Sequence, residues 1–194
     1  PSLAQGNRRY RMTHHAPMTV WWDRLDISGT DVCRITQEGN GWVLDGTAIF
    51  ADPETSCLRY RIDCAPDWST TQATVSGWVG GGDKHLRVIR GPDGWTCNGV
   101  PVAKAGGPLD IDLGFTPSNT NAIRRLDLRI GDSAETTALW LDTDDWNLKP
   151  LHQIYTRTGP NSYDYASPVH NYLATLITND FGVVLTYPDL WQAR

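Results

Sequence analysis

The stretch GPLDIDLGFTPSNTNAIRRLDLRIG, residues 107–131, decides how the chain reads. On one side Leu109, Ile111 and Leu113 alternate with Asp110 and Asp112. On the other, Leu126, Leu128 and Ile130 alternate with Arg125, Asp127 and Arg129. Period-two alternation marks half-buried strands. Between the two runs lies a polar connection with Asn119, Thr120 and Asn121, where one short helix over residues 118–125 is expected, Ser118 or Asn119 capping its first turn. Carboxylates before the connection and guanidiniums after it are expected to lie close together.

Outward from this stretch the chain reads as short strands broken by turn residues. Asn40–Gly41, the glycine run 80–82, Gly91-Pro92-Asp93-Gly94 and Asn98–Gly99 are hairpin signals. Residues 58–62, LRYRI, alternate cleanly, and residues 73–79 and 86–90 face each other across the glycine run. Beyond residue 150, strands are expected over 153–157, 162–166, 172–178 and 182–187, and Tyr163, Tyr165 and Ser167 share a face. A second short helix is expected over 144–151, ended by Pro150. The chain of 194 residues therefore reads as a single, mostly antiparallel all-β domain, with residues 1–18 as a loosely ordered N-terminal arm.

Composition narrows the partners. A formal net charge of −5 argues against nucleic acid, which asks for a basic stripe, and the cluster Arg8, Arg9, Arg11 reads as solvated. Cys33, Cys57, Cys64 and Cys97 have neither zinc nor redox spacing, so they are expected to be buried or half-buried thiols of a reducing, cytoplasmic compartment. The opening residues PSLAQGNRRYRM lack the apolar core of a signal peptide, and no apolar run is long enough to span a membrane.

Candidate chemistry is sparse. Asp110 and Asp112 stand two apart on one strand, about 6.5–7 Å from each other, close to the spacing of inverting glycosidases but on one face of one strand. A solvated strand face, or ion pairing with Arg124 or Arg125, is the competing expectation. Residues 142–147 begin like a calcium loop but place Trp146 and Asn147 against the pattern. His14 and His15 diverge on a strand, and His85, His152 and His170 are isolated, so no metal and no cofactor is assigned. No nucleophile elbow or phosphate loop is present. Asn119, Asn121, Arg124 and Arg125 remain as polar contacts for a hydroxyl-rich or anionic group, one arginine being expected in an internal ion pair. Nine tryptophans suit a large curved core, with Trp68 and Trp78, beside turns, as candidates for a ligand wall.

The block Thr116-Pro117-Ser118-Asn119-Thr120-Asn121-Ala122-Ile123-Arg124-Arg125-Leu126 resembles the signature of a bacterial family labelled Putative glycolipid-binding, which runs Thr-Pro, then Asn-Thr-Leu-Pro-Ile-Arg-Arg-Leu. Leu58-Arg59-Tyr60 with Cys64 and Trp68, residues 109–113, Gln153-Ile154-Tyr155, Gly182-Val183-Val184 and Tyr187-Pro188-Asp189-Leu190-Trp191 agree in order. The likeness covers most of the chain from Trp42 on. The connection here is one residue shorter, Asn121-Ala122 replaces Leu-Pro, and Pro108 stands where a cysteine is frequent. The resemblance implies a spiral β-roll, a large antiparallel sheet wrapped around one helix and often dimeric, with a groove like those of lipid carriers. It brings no catalytic residues.

These observations lead to a non-enzymatic, cytoplasmic binding module, expected as a homodimer, for an amphipathic ligand such as a glycolipid. Head-group contacts would come from Asp110, Asp112, Asn119, Asn121, Arg124, Arg125 and Tyr155, and wall contacts from Trp68 and Trp78. Two alternatives stand beside it: a carboxylate-dependent hydrolase of a sugar-containing substrate, and a purely structural or dimerisation module.

Overall fold

The computed structural model describes residues 16–103, 105 and 107–194. Arg8, Arg9 and Arg11, His14 and His15, and the expected arm up to residue 15 lie outside the described residues. Met18, the arm's expected end, already opens a strand.

Two meanders make the sheet. The first runs β1 (Met18–Arg24), β2 (Ser28–Glu38), β3 (Gly41–Ala51), β4 (Thr55–Cys64), β5 (Thr70–Val79), β6 (Gly82–Gly91), β7 (Gly94–Cys97) and β8 (Val100–Pro101), each antiparallel to the next. The second runs β10 (Ser133–Asp142), β11 (Asn147–Gly159), β12 (Ser162–Ser167), β13 (Tyr172–Thr178), β14 (Val184–Tyr187) and β15 (Trp191–Ala193). Pairing of β15 with β1, Trp22 opposite Ala193 and Arg24 opposite Trp191, joins them. At the far end β9 (Asp110–Leu113) lies parallel to β10. A parallel pair needs a crossover, and α1 (Asn119–Leu126) supplies it. Among the described residues this gives one mixed sheet of fifteen strands, not closed into a barrel. Its β9 end curls back until the Thr70 N–H donates to the Leu109 carbonyl at 2.8 Å and the Ile111 N–H to the Thr70 hydroxyl at 3.2 Å.

The curved, mostly antiparallel sheet around one short helix matches the expectation, and local pattern explains most of it. In β4, Ser56, Leu58, Tyr60, Ile62 and Cys64 point into the core while Cys57, Arg59, Arg61 and Asp63 point out. Each fully buried aliphatic of this kind contributes about 1.5–3 kcal/mol. The outward charges pair in rows, Arg61 with Glu38 and Asp63, Arg34 and Arg59 with Asp45. Such exposed pairs add little, about 0–1 kcal/mol each. Gly46 in β3 is required sterically, because a Cβ there would collide with the Tyr60 hydroxyl and the Val32 carbonyl.

Two local expectations are corrected. No strand follows the connection. The helix runs on to Leu126, Asp127 takes a left-handed conformation (φ 43°) with its N–H bonded to the Ile123 carbonyl, and residues 127–132 turn. Three alternating apolar residues are too few to separate a strand from a helix end followed by a turn. Ser118 sits at the N-cap position but makes no capping bond; its hydroxyl accepts from the Leu113 N–H (3.2 Å) and donates to Asp112 (3.1 Å). Nor is there a helix over 144–151, where a turn with Trp146 left-handed (φ 59°) leads into β11. Pro150 is tolerated there because β12 pairs with β11 only from Ile154 onward, leaving the proline on a stretch with a neighbour on one side.

Candidate functional site

Strand β9 is covered on both faces. Ile111 and Leu113 enter the core, while Asp110 and Asp112 turn toward α1 and β11 instead of solvent. Asp110, 1 % exposed, is gripped by Arg125: Nε lies 2.9 and 3.0 Å from its two oxygens and Nη2 lies 2.5 Å from one, while the same Nη2 donates to Thr136 at 2.7 Å. Burial raises the Asp110 carboxyl against the opposing pull of Arg125. The expected internal ion pair is thus made by Arg125.

Asp112 has no such cation. Ser118 Oγ donates to one oxygen (3.1 Å) and Gln153 Nε2 to the other (2.9 Å). Burial pushes its carboxyl up to about 6, these two hydrogen bonds and His170 opposing the rise. Gln153 also donates to the Tyr165 hydroxyl (3.1 Å), and Asn119 Nδ2 to the Tyr155 hydroxyl (2.8 Å). Helix, β9 and β11 are therefore bound by one polar network.

Next to this network opens a cavity of about 230 Å³. Asp112 and Asn119 reach it from the β9–α1 side, and Tyr165, Tyr172 and Tyr187 from β12, β13 and β14. The three tyrosine rings form a triangle with centroids 5.8–6.3 Å apart. Trp140 and Trp191 add further aromatic wall, Ser167 and His170 a polar one, the serine hydroxyl lying 3.2 Å from His170 Nδ1. Arg24 also borders the cavity, but it is bound to both oxygens of Asp26 (2.9 and 3.2 Å) and stacks over Phe50 and Trp191.

Of the nine candidate residues, Asp112 and Asn119 line this cavity, and Tyr155 lies buried directly behind it. Asn121 is turned inward, pinned to the Ile111 carbonyl (3.1 Å) and Thr70 hydroxyl (3.3 Å). Arg124 lies over Trp68 and Phe181, donates to the Phe181 carbonyl (3.2 Å), and does not border the cavity. Trp68 stacks on Trp42 at 4.6 Å in the core. Trp78 stands 41 % exposed on the outer face of β5. The tyrosine triangle, Trp140, Trp191, His170 and Gln153 are absent from the sequence candidates. The shared face of Tyr165 and Ser167 was the nearest signal in the sequence, but nothing local says that this face looks into an opening.

Among the described residues no group of three or more His, Cys, Asp or Glu side chains is placed to hold a metal ion. No helix among them is long and apolar enough to cross a membrane.

A curved single sheet around one helix, with an aromatic cavity and a polar floor between them, defines the class: an all-β roll. The chain belongs to the Putative glycolipid-binding family, whose profile matches residues 19–193. It is similar to the crystal structure of a DUF1089 family protein from Pseudomonas aeruginosa, with 26% identity, a TM-score of 0.75, and coverage of 85% of this chain and 91% of that one. No curated protein matches the chain.

Proposed function

We propose that the protein binds an amphipathic, glycolipid-like small molecule without converting it, at the cavity between α1 and strands β12–β15. The observation that carries this reading is the union of three tyrosines and two tryptophans with a hydrogen-bonding floor of Asp112 and Asn119 in one open cavity. Aromatic faces take the apolar surface of a ligand, and a few placed polar groups orient it. The family description points the same way. Cys33 and Cys64, buried and free, suit a reducing cytoplasm.

The hydrolase alternative has less support. Paired-carboxylate hydrolysis needs two acids flanking one bond, whereas Asp110 is held by Arg125 and Asp112 is the one carboxylate among the described residues lining the cavity. For the homodimer reading, the support is an outer-face row in which Ile49, Cys57 and Trp78 are register neighbours across β3, β4 and β5, beside Trp21 and Val32 on β1 and β2. Contiguous exposed apolar surface of this kind marks contact surfaces.

The test is native mass spectrometry of protein purified from its own host, followed by lipid extraction, with Tyr172→Ala as control. A stoichiometric amphiphile is expected on the wild type. Tyr172→Ala weakens its retention about tenfold, since an aromatic contact contributes about 0.5–1.5 kcal/mol beyond the area it buries. A ligand-free wild type, or a ligand retained equally by Tyr172→Ala, refutes the cavity as the site.

A further inference from the structure

Three carboxylates of this roll, the buried Asp31 and Asp110 and the half-buried Asp112, differ in how their charge is met. Asp110 faces a guanidinium. Asp31, wholly enclosed, accepts from the hydroxyls of Tyr60 and Thr116. Asp112 is met by two neutral donors and stands on a cavity wall. An ionised carboxylate offers about four acceptor positions, so two remain for a ligand.

The charges around it decide what that ligand can carry. Asp110 on the same strand is neutralised by Arg125, and Arg24 across the cavity by Asp26. His170, from the turn after β12, packs edge-on against Trp140 at 4.9 Å with its Nδ1 toward Ser167. A phosphate or carboxylate would meet Asp112 with no uncommitted guanidinium to offset the repulsion, and like-charge juxtaposition is a strong means of rejection. A quaternary ammonium would find aromatic faces but, having no donor or acceptor of its own, would leave Asn119 and Ser167 without partners. Hydroxyl groups satisfy all of these partners, because they donate to Asp112 and exchange hydrogen bonds with Asn119, Ser167 and the tyrosines. Size sets a further limit. About 230 Å³ falls below the roughly 300–1,000 Å³ of drug-sized pockets. Room of that order suits one six-membered polyol ring better than two, with any acyl chain leaving through the mouth.

Building on the amphiphile-binding reading, we infer that the cavity selects a single uncharged sugar ring as head group and rejects anionic ones, with Asp112 as the residue that discriminates between them.

Four soluble probes sharing one chain test this by calorimetry below their micelle concentrations at pH 8: octyl glucoside, octyl glucuronide, octyl maltoside and octyltrimethylammonium. The glucoside is expected to bind at least tenfold more tightly than each of the others. Asp112→Asn, which retains one acceptor oxygen and the shape, is expected to bring glucoside and glucuronide within about threefold of each other. Should that variant fail to fold, His170→Asn with Asp112 intact supplies a second readout free of the neighbouring imidazole: its preference for glucoside over glucuronide narrows from pH 8 to pH 5, as Asp112 takes up a proton while the glucuronide remains ionised. Equal binding of all four overturns the head-group inference and leaves amphiphile binding standing. An unchanged preference in Asp112→Asn removes Asp112 from the role, tighter binding of the ammonium replaces the sugar by a cation, and failure of every probe to bind overturns the inference and the amphiphile reading together.

Discussion

Arg125→Ala is expected to cost about 3–5 kcal/mol of folding stability, the usual penalty for removing one partner of a buried ion pair. Asp110 would be left in the interior without its cation, since Arg125 supplies three of the close contacts to its carboxylate. The Thr136 hydroxyl loses its donor as well, and with it the link from α1 to β10. For a chain of this size each kcal/mol moves the melting temperature by about 2–4 °C, so a drop of roughly 6–20 °C at pH 7 is the expected reading. The double variant Asp110→Leu/Arg125→Met recovers a large part of that loss, because a well-packed apolar pair avoids the desolvation of both charges. Arg124→Ala, by contrast, removes a stacking contact over Trp68 and Phe181 and one bond to a carbonyl, about 0.5–2 kcal/mol. Near-identical melting temperatures for wild type and Arg125→Ala would show that this arginine does not secure β9 to the helix.

The contrast between the two arginines shows what the sequence carries. Adjacent arginines after two alternating aspartates imply an ion pair, and one exists. Which arginine makes it depends on helix phase, and the residues 125–130 read equally well as strand. Turn chemistry was legible: Asn40–Gly41, the glycines at 80–82 and Asn98–Gly99 each sit at the hairpins of β2–β3, β5–β6 and β7–β8. Strands with mixed faces were not. In β2, inward Asp31 breaks the apolar row of Cys33 and Ile35, and outward Val32 reverses the expected polarity. The helix-wrapped roll followed from the family resemblance, because no local pattern encodes a sheet's curvature. The cavity was the least legible part. Asp112 meets Gln153 across 41 positions, and the three tyrosines converge because β12, β13 and β14 are neighbours in the sheet. Alternation assigns a side chain to a face; it does not say whether that face is packed or open. Trp68 illustrates the same gap from the other side: a tryptophan beside a turn reads as a wall residue, and no local signal marks its stacking on Trp42 in the core.

Asp31 gives the second large effect, and its sign runs opposite to that of a salt-bridged carboxylate. The side chain is fully enclosed, held by Tyr60 Oη at 2.9 Å and by the Thr116 hydroxyl, with no cation among these partners. Burial pushes its carboxyl from 3.8 up to about 7, the hydroxyl bonds from Thr116 and Tyr60 only partly opposing the rise. The folded state therefore holds a proton that the unfolded state releases between about pH 4 and 7. Stability from this group is complete below pH 4, falls as pH rises, and is gone above about pH 7. At about 1.4 kcal/mol per unit, the span amounts to something on the order of 4 kcal/mol. Surface carboxylates such as Asp145, whose ion pair with Lys149 holds it at about 2, act in the reverse direction, so the wild-type profile alone mixes the two. Asp31→Asn isolates the term. Its amide retains partners in the Tyr60 and Thr116 hydroxyls and cannot ionise. Urea unfolding should show the variant gaining on wild type steadily from pH 4 to 7, with a constant advantage beyond. A difference that stays flat over this range would mean that Asp31 is charged in the folded protein throughout, and that an unrecognised donor or cation stabilises it behind the cavity wall at Thr116.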